Sequence, residues 1–126
     1  MYEINVRESS KELTKADKAR LINISGVEAL DVIVPNDSSI IIEPVDYVAI
    51  DIHNDKAKGE SKDYSNYLIY TADGKVYRTG SETFWTAFKS IWDIFNDGEK
   101  EPFNLNVFKA PSKNYSGKYF LTCALA

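Results

Sequence analysis

"YSNYLIYTADGKVYRTGSETFWTAFKSIWDIFNDG", residues 64–98, reads as strand, tight turn, strand and helix in immediate succession. The turn is Asp73-Gly74, whose glycine accepts the positive φ that a two-residue hairpin connection needs. Around it, Leu68 and Tyr70 alternate with Tyr67, Ile69 and Thr71, the period of a strand. Ser81 is a good N-cap, and Glu82 in the first turn complements the positive end of the helix dipole. Phe84, Trp85, Phe88, Ile91, Trp92 and Phe95 then recur at helical spacing, and Gly98 supplies the stop.

Upstream, "SIIIEPVDYVAIDIHND" (39–55) is rich in Ile and Val. From Val48 it alternates strictly, with Val48, Ile50 and Ile52 on one face and Tyr47, Ala49, Asp51 and His53 on the other. Pro44 marks a strand start or bend, and "KAKGESKD" is a polar loop. Downstream, "PFNLNVFKA" alternates as a strand, "PSKNYSGK" is a loop, and "YFLTCALA" is a final strand. Residues 40–126 thus run strand, strand, strand, helix, strand, strand. That is the order of an OB-fold, a five-stranded, partly open Greek-key barrel, in a mainly β chain with helices. The helix between the third and fourth strands plugs the barrel, so Trp85, Phe88 and Trp92 belong to the core. Residues 47–53 and 67–71 are expected to pair.

Residues 1–39 form an N-terminal extension of the same single domain, 1–126. "YEINV" suits a short strand, and "SSKELTKADKARLI" suits a helix. Ser9 with Glu12 and Thr14 with Asp17 both fit its capping pattern. "SGVEALDVIVPNDSS" is ambiguous apart from the turn at Pro35 to Ser39.

The 126-residue chain carries a net charge of −4, unevenly spread. Residues 21–55 hold seven acids and no Lys or Arg, whereas residues 102–126 hold three lysines and no acid. The lone cysteine, Cys123, sits in an apolar run and is expected to be packed. No apolar run approaches the ~20 residues of a membrane span, and the polar start does not read as a signal peptide. His53 with Asp51 and Asp55 could hold a divalent ion, but no second carboxylate cluster completes the site. "TADGKVYRTGS" lacks the spacing of a phosphate-binding loop. These features argue against an enzyme and against a metal or other cofactor.

Binding chemistry gathers in two places. The last loop and its flanks, "KAPSKNYSGKYF" (109–120), offer Lys109, Lys113, Tyr115 and Lys118 with no acid among them. The hairpin offers Tyr67, Lys75, Tyr77 and Arg78, with Tyr67 and Tyr77 expected to face outward. Cations that track phosphates and aromatic rings that stack bases are the combination single-strand binders use. The strand order, together with "YSNYLIYTADGKVYRTGSETFW" and "PSKNYSGKYFLTC", resembles small phage- or prophage-encoded single-stranded DNA-binding proteins over residues 40–126. The resemblance implies coating of single-stranded DNA during replication or recombination, in the cytoplasm of a bacterial host, with other replication proteins as further partners. Many such proteins carry an acidic C-terminal tail that recruits those partners; this sequence ends "FLTCALA". The alternative reading is an acidic interaction module that binds a host protein, with residues 21–55 mimicking DNA.

Overall fold

The computed structural model describes residues 2–54, 63–112 and 117–126. Its centre is the pairing of β4 (Pro44–Asn54) with β5 (Asp63–Thr71), antiparallel in the register Tyr47↔Ile69, Ala49↔Tyr67 and His53↔Asp63. β1 (Tyr2–Ser9) lies on the other side of β4. Beyond the Asp73-Gly74 turn, β6 (Val76–Thr79) pairs back onto β5. Gly74 sits at φ +85°, where a side chain would be strained.

Sequence reading arrives at one five-stranded, partly open barrel; the molecule instead has two sheets. The five-stranded sheet runs β1-β4-β5-β6-β2, and a three-stranded sheet runs β3-β7-β8. β3 (Ser39–Ile42) and β4 are one bent run broken at Glu43. Pro44 lacks the N–H that would continue the ladder, and the register with β5 shifts between Pro44 and Asp46. The first half of the run therefore pairs with β7 (Leu105–Pro111) and the second with β5. β8 (Tyr119–Leu125) completes the smaller sheet. Among the described residues β6 and β8 do not pair. The free edge of β6 is taken by β2 (Glu28–Ala29), which runs parallel to it. β2 leads into the short α2 (Leu30–Ile33), and Leu30 and Val34 are fully buried there. Residues 28–29 thus cover the edge of β6, and Leu30 and Val34 enter the core behind them.

Two cores result. α3 (Glu82–Phe95) is capped by the Ser81 hydroxyl, which accepts from Phe84 N–H. It buries Phe84, Trp85, Phe88 and Trp92 against Tyr47, Tyr67, Leu105 and Val107. The opposite face of the larger sheet carries Val48, Ile50, Ile52, Leu68 and Tyr70, covered by Leu21 with Leu13 and Ile24. Leu21 comes from α1 (Lys15–Ile22), whose N-cap is Thr14 with Asp17 in a full capping box. Ser9 is unavailable as a cap because it ends β1, paired with Val48.

Candidate nucleic-acid interface

The two tyrosines expected to face outward do not. Tyr67 is 0% exposed and Tyr77 is 7% exposed. Alternation on β5 places Tyr67 and Ile69 toward α3 and Leu68 and Tyr70 toward α1. Both faces of this sheet are covered, so alternation there separates two cores, with no wet side between them. Tyr67 stacks on Trp85 with ring centroids 4.4 Å apart and planes 4° from parallel. Its hydroxyl donates to Glu82 Oε1, and the Arg7 guanidinium lies 5.7 Å from its ring centroid. Burial, then the Glu82 hydrogen bond, pushes its phenol pKa up. A base has no access to either face of this ring.

The cations divide differently. Lys75 is exposed at the hairpin tip and Lys118 is exposed beside Gly117. Arg78 is half-buried, and its Nε donates to the Val27 carbonyl at 2.9 Å. Lys109 Nζ donates to the Asp31 carbonyl at 2.6 Å, and Thr79 Oγ1 donates to the Asp31 carboxylate at 2.7 Å. Arg78 and Lys109 thus clamp the two ends of segment 27–31 through its backbone carbonyls. Lys113 and Tyr115 lie outside the described residues.

Sequence reasoning missed the outer face of the smaller sheet. Leu105, Val107, Leu121 and Cys123 point into the core. Burial pushes the Cys123 thiol pKa up to about 12, which leaves it protonated and inert. The alternate positions face away from the core. Register places Ile41 beside Asn106, Phe108 between Ser39 and Thr122, and Ala110 beside Phe120. Ile41, Phe108 and Phe120 therefore run diagonally across three strands, in steps of about 8 Å from ordinary strand spacing and rise. Ile41 is 62% and Phe120 37% exposed, and Tyr119 beside it is 46% exposed. The signal was present in the alternation of "LNVFKA" against "YFLTC": once Leu105 and Val107 turn inward, Phe108 must turn out. Next to Ile41, a recess of about 360 Å³ is lined by Tyr77, Lys75 and Asn104, with Glu43 and Asp73 as its acids. The Asp73 carboxylate accepts from the Thr71 hydroxyl and the Lys75 N–H.

A family model of phage single-stranded DNA-binding proteins, of the Phi29 type, matches residues 36–126 of the 126. The chain belongs to this family. The match includes the aromatic diagonal, the hairpin and the basic loop, and single-stranded DNA is the partner that membership brings. No curated protein and no solved structure gave a significant match. Among the described residues, no helix is long and apolar enough to cross a membrane. The match also leaves out residues that this family member cannot spare, since Leu30 and Val34 lie in its main core.

Asp17 fastens the N-terminal segment to the matched region. It is 3% exposed. It accepts from Thr14 N–H at 2.9 Å and Tyr70 Oη at 3.0 Å, and pairs with Lys11 at 3.0 Å. Burial opposes its charge, but these donors outweigh it and its pKa is lowered to about 2. The buried Tyr70 phenol is pushed up to about 12 by burial and by this carboxylate. An Asp near 3.9 when unfolded and near 2 when folded contributes about 2–3 kcal/mol. That contribution is complete above about pH 5 and is lost progressively as pH falls through 2. Urea denaturation at pH 6 and at pH 2 should show the parent losing most of it, while Asp17→Asn loses it at both.

Proposed function

We propose that the protein binds single-stranded DNA without catalysis and with little sequence preference, during phage replication or recombination in the host cytoplasm. The strand crosses the outer face of β3-β7-β8, where Ile41, Phe108 and Phe120 offer stacking and apolar contact, with Tyr119 exposed at the start of β8. Lys109, Lys113, Lys118 and Lys75 neutralise phosphates, Arg78 adds charge behind the hairpin, and Tyr115 stacks a base from the loop. The strand sequence β6-β5-β4/β3-β7-β8 is that of a Greek-key barrel opened between its third and fifth strands, with residues 27–34 in the opening. The observation that carries the reading is the outward-facing diagonal of Ile41, half-buried Phe108 and exposed Phe120 beside an acid-free, lysine-bearing stretch in a member of this family. Stacking is open to every base, which makes such a surface tolerant of sequence.

Titration with oligo-dT at several salt concentrations tests it. A slope near −0.7 per neutralised phosphate gives three lysines a share near −2, or roughly 20-fold in affinity between 50 and 200 mM salt. Changing Lys109, Lys113 and Lys118 together to Ala should remove that share. A duplex that displaces oligo-dT at equal concentration, or a triple variant with the parent's slope, would count against this surface.

A further inference from the structure

The geometry points to a second stretch of the single-strand path, built by the N-terminal segment that lies outside the family match. An open groove of about 640 Å³ runs between α1 and the β5–β6 hairpin. Ala16, Ala19 and Arg20 of α1 and its C-cap Asn23 line it, at the i, i+3, i+4 and i+7 positions of one helix face. Lys75 lines the facing wall, and Glu28 is the one acid in the lining. Lys75 also lines the recess beside Ile41 and Tyr77. A strand leaving the aromatic diagonal at Ile41 reaches that recess, passes Lys75, and enters the groove.

The lining suits a sugar–phosphate backbone. Two cations stand on opposite walls, an amide can donate between them, and alanines leave room for close approach. Arg20 spends part of its guanidinium on Asp17 at 3.4 Å and lies 5.7 Å from the Tyr70 ring centroid, but a guanidinium has five donors in a fixed fork. The groove is too open to enclose a small molecule, and it offers no exposed aromatic face for a base. Phosphates are therefore the part of the strand it holds. This path rests on the proposed single-strand binding, which it extends from the smaller sheet to the extension.

The test uses the full chain, oligo-dT of increasing length, and a charge series at Ala19, an exposed position where Glu, Gln and Lys all favour helix. Glu, Gln and Lys fill similar space with different charge, so affinity for long oligo-dT should rise in the order Ala19→Glu, Ala19→Gln, Ala19→Lys. Arg20→Gln with Lys75→Gln should shift the salt slope toward zero by about 1.4, two phosphates at about 0.7 each. Arg20 touches Asp17, so circular dichroism accompanies that pair, while the Ala19 series leaves both residues in place. If the parent binds and neither the Ala19 series nor the double variant changes affinity or slope, the groove is no part of the path and the smaller-sheet surface stands alone. If the parent binds no oligo-dT, the functional reading itself fails.

Discussion

Cutting the chain back to residues 36–126, the span of the family match, leaves a fragment without cooperative thermal unfolding. The removed residues include Leu30 and Val34, fully buried in the main core. Truncating one buried Leu to Ala already costs 2–5 kcal/mol, against a total stability of about 5–15 kcal/mol for a domain. The cut also strips β1 from β4 and removes Leu13, Leu21 and Ile24 from the face that carries Val48, Ile50, Ile52, Leu68 and Tyr70. That face and the newly bare edge of β4 would invite aggregation. Arg78, Thr79 and Lys109 lose their acceptors at Val27 and Asp31. Circular dichroism melting and amide dispersion by NMR would show it. A fragment melting cooperatively within a few degrees of the full chain would mean that the first 35 residues are an accessory, in conflict with their burial.

Tyr67→Ala is expected to cost 3–5 kcal/mol of stability, the range for removing a large buried aromatic. The ring stacks on Trp85, and Trp85 in turn meets Phe88 and Tyr47, so the cavity opens at the middle of the aromatic core. Phe120→Ala should behave in the opposite way. It is 37% exposed, so its truncation should cost clearly less stability than that of the fully buried Tyr67. Loss of its stacking face should weaken oligo-dT binding by roughly 1–3 kcal/mol. Chemical denaturation and oligo-dT titration of both variants separate the roles. Tyr67→Phe sharpens the contrast, since it keeps the stacked ring and removes only the hydrogen bond to Glu82. If Tyr67→Phe loses binding while Phe120→Ala keeps it, the assignment of the two rings is reversed.

Local chemistry made much of this fold legible. Asp73-Gly74 and Ser81 mark turn and cap through backbone requirements that few residues meet, and the aromatic spacing from Phe84 to Phe95 fixes the buried face of α3. The pairing of β4 with β5 followed from two runs of β-branched and aromatic residues. Closure was not legible, because it depends on which segment takes the free edge of β6. Residues 27–34 do so through two-residue and four-residue elements too short for any period to register. Ser9 and Thr14 were equivalent as caps until β1 pairing claimed Ser9. At the candidate site, alternation sorted Tyr67 from Tyr70 correctly but could not say that both faces are covered. Phe108 and Phe120 were not legible as outward residues because either face of an alternating strand can be the buried one until packing turns Leu105, Val107 and Leu121 inward. Lys113 and Tyr115 fall outside the described residues and stand on the sequence alone.

Ultraviolet cross-linking of the full-length protein to oligo-dT, followed by mass spectrometric mapping of the linked residues, tests the central claim most directly. The expected result is linkage at Phe120 and Phe108 on the outer face of β3-β7-β8, with none at Tyr67. Linkage at Tyr67, or linkage that avoids residues 105–125 while the protein binds the strand, would contradict it.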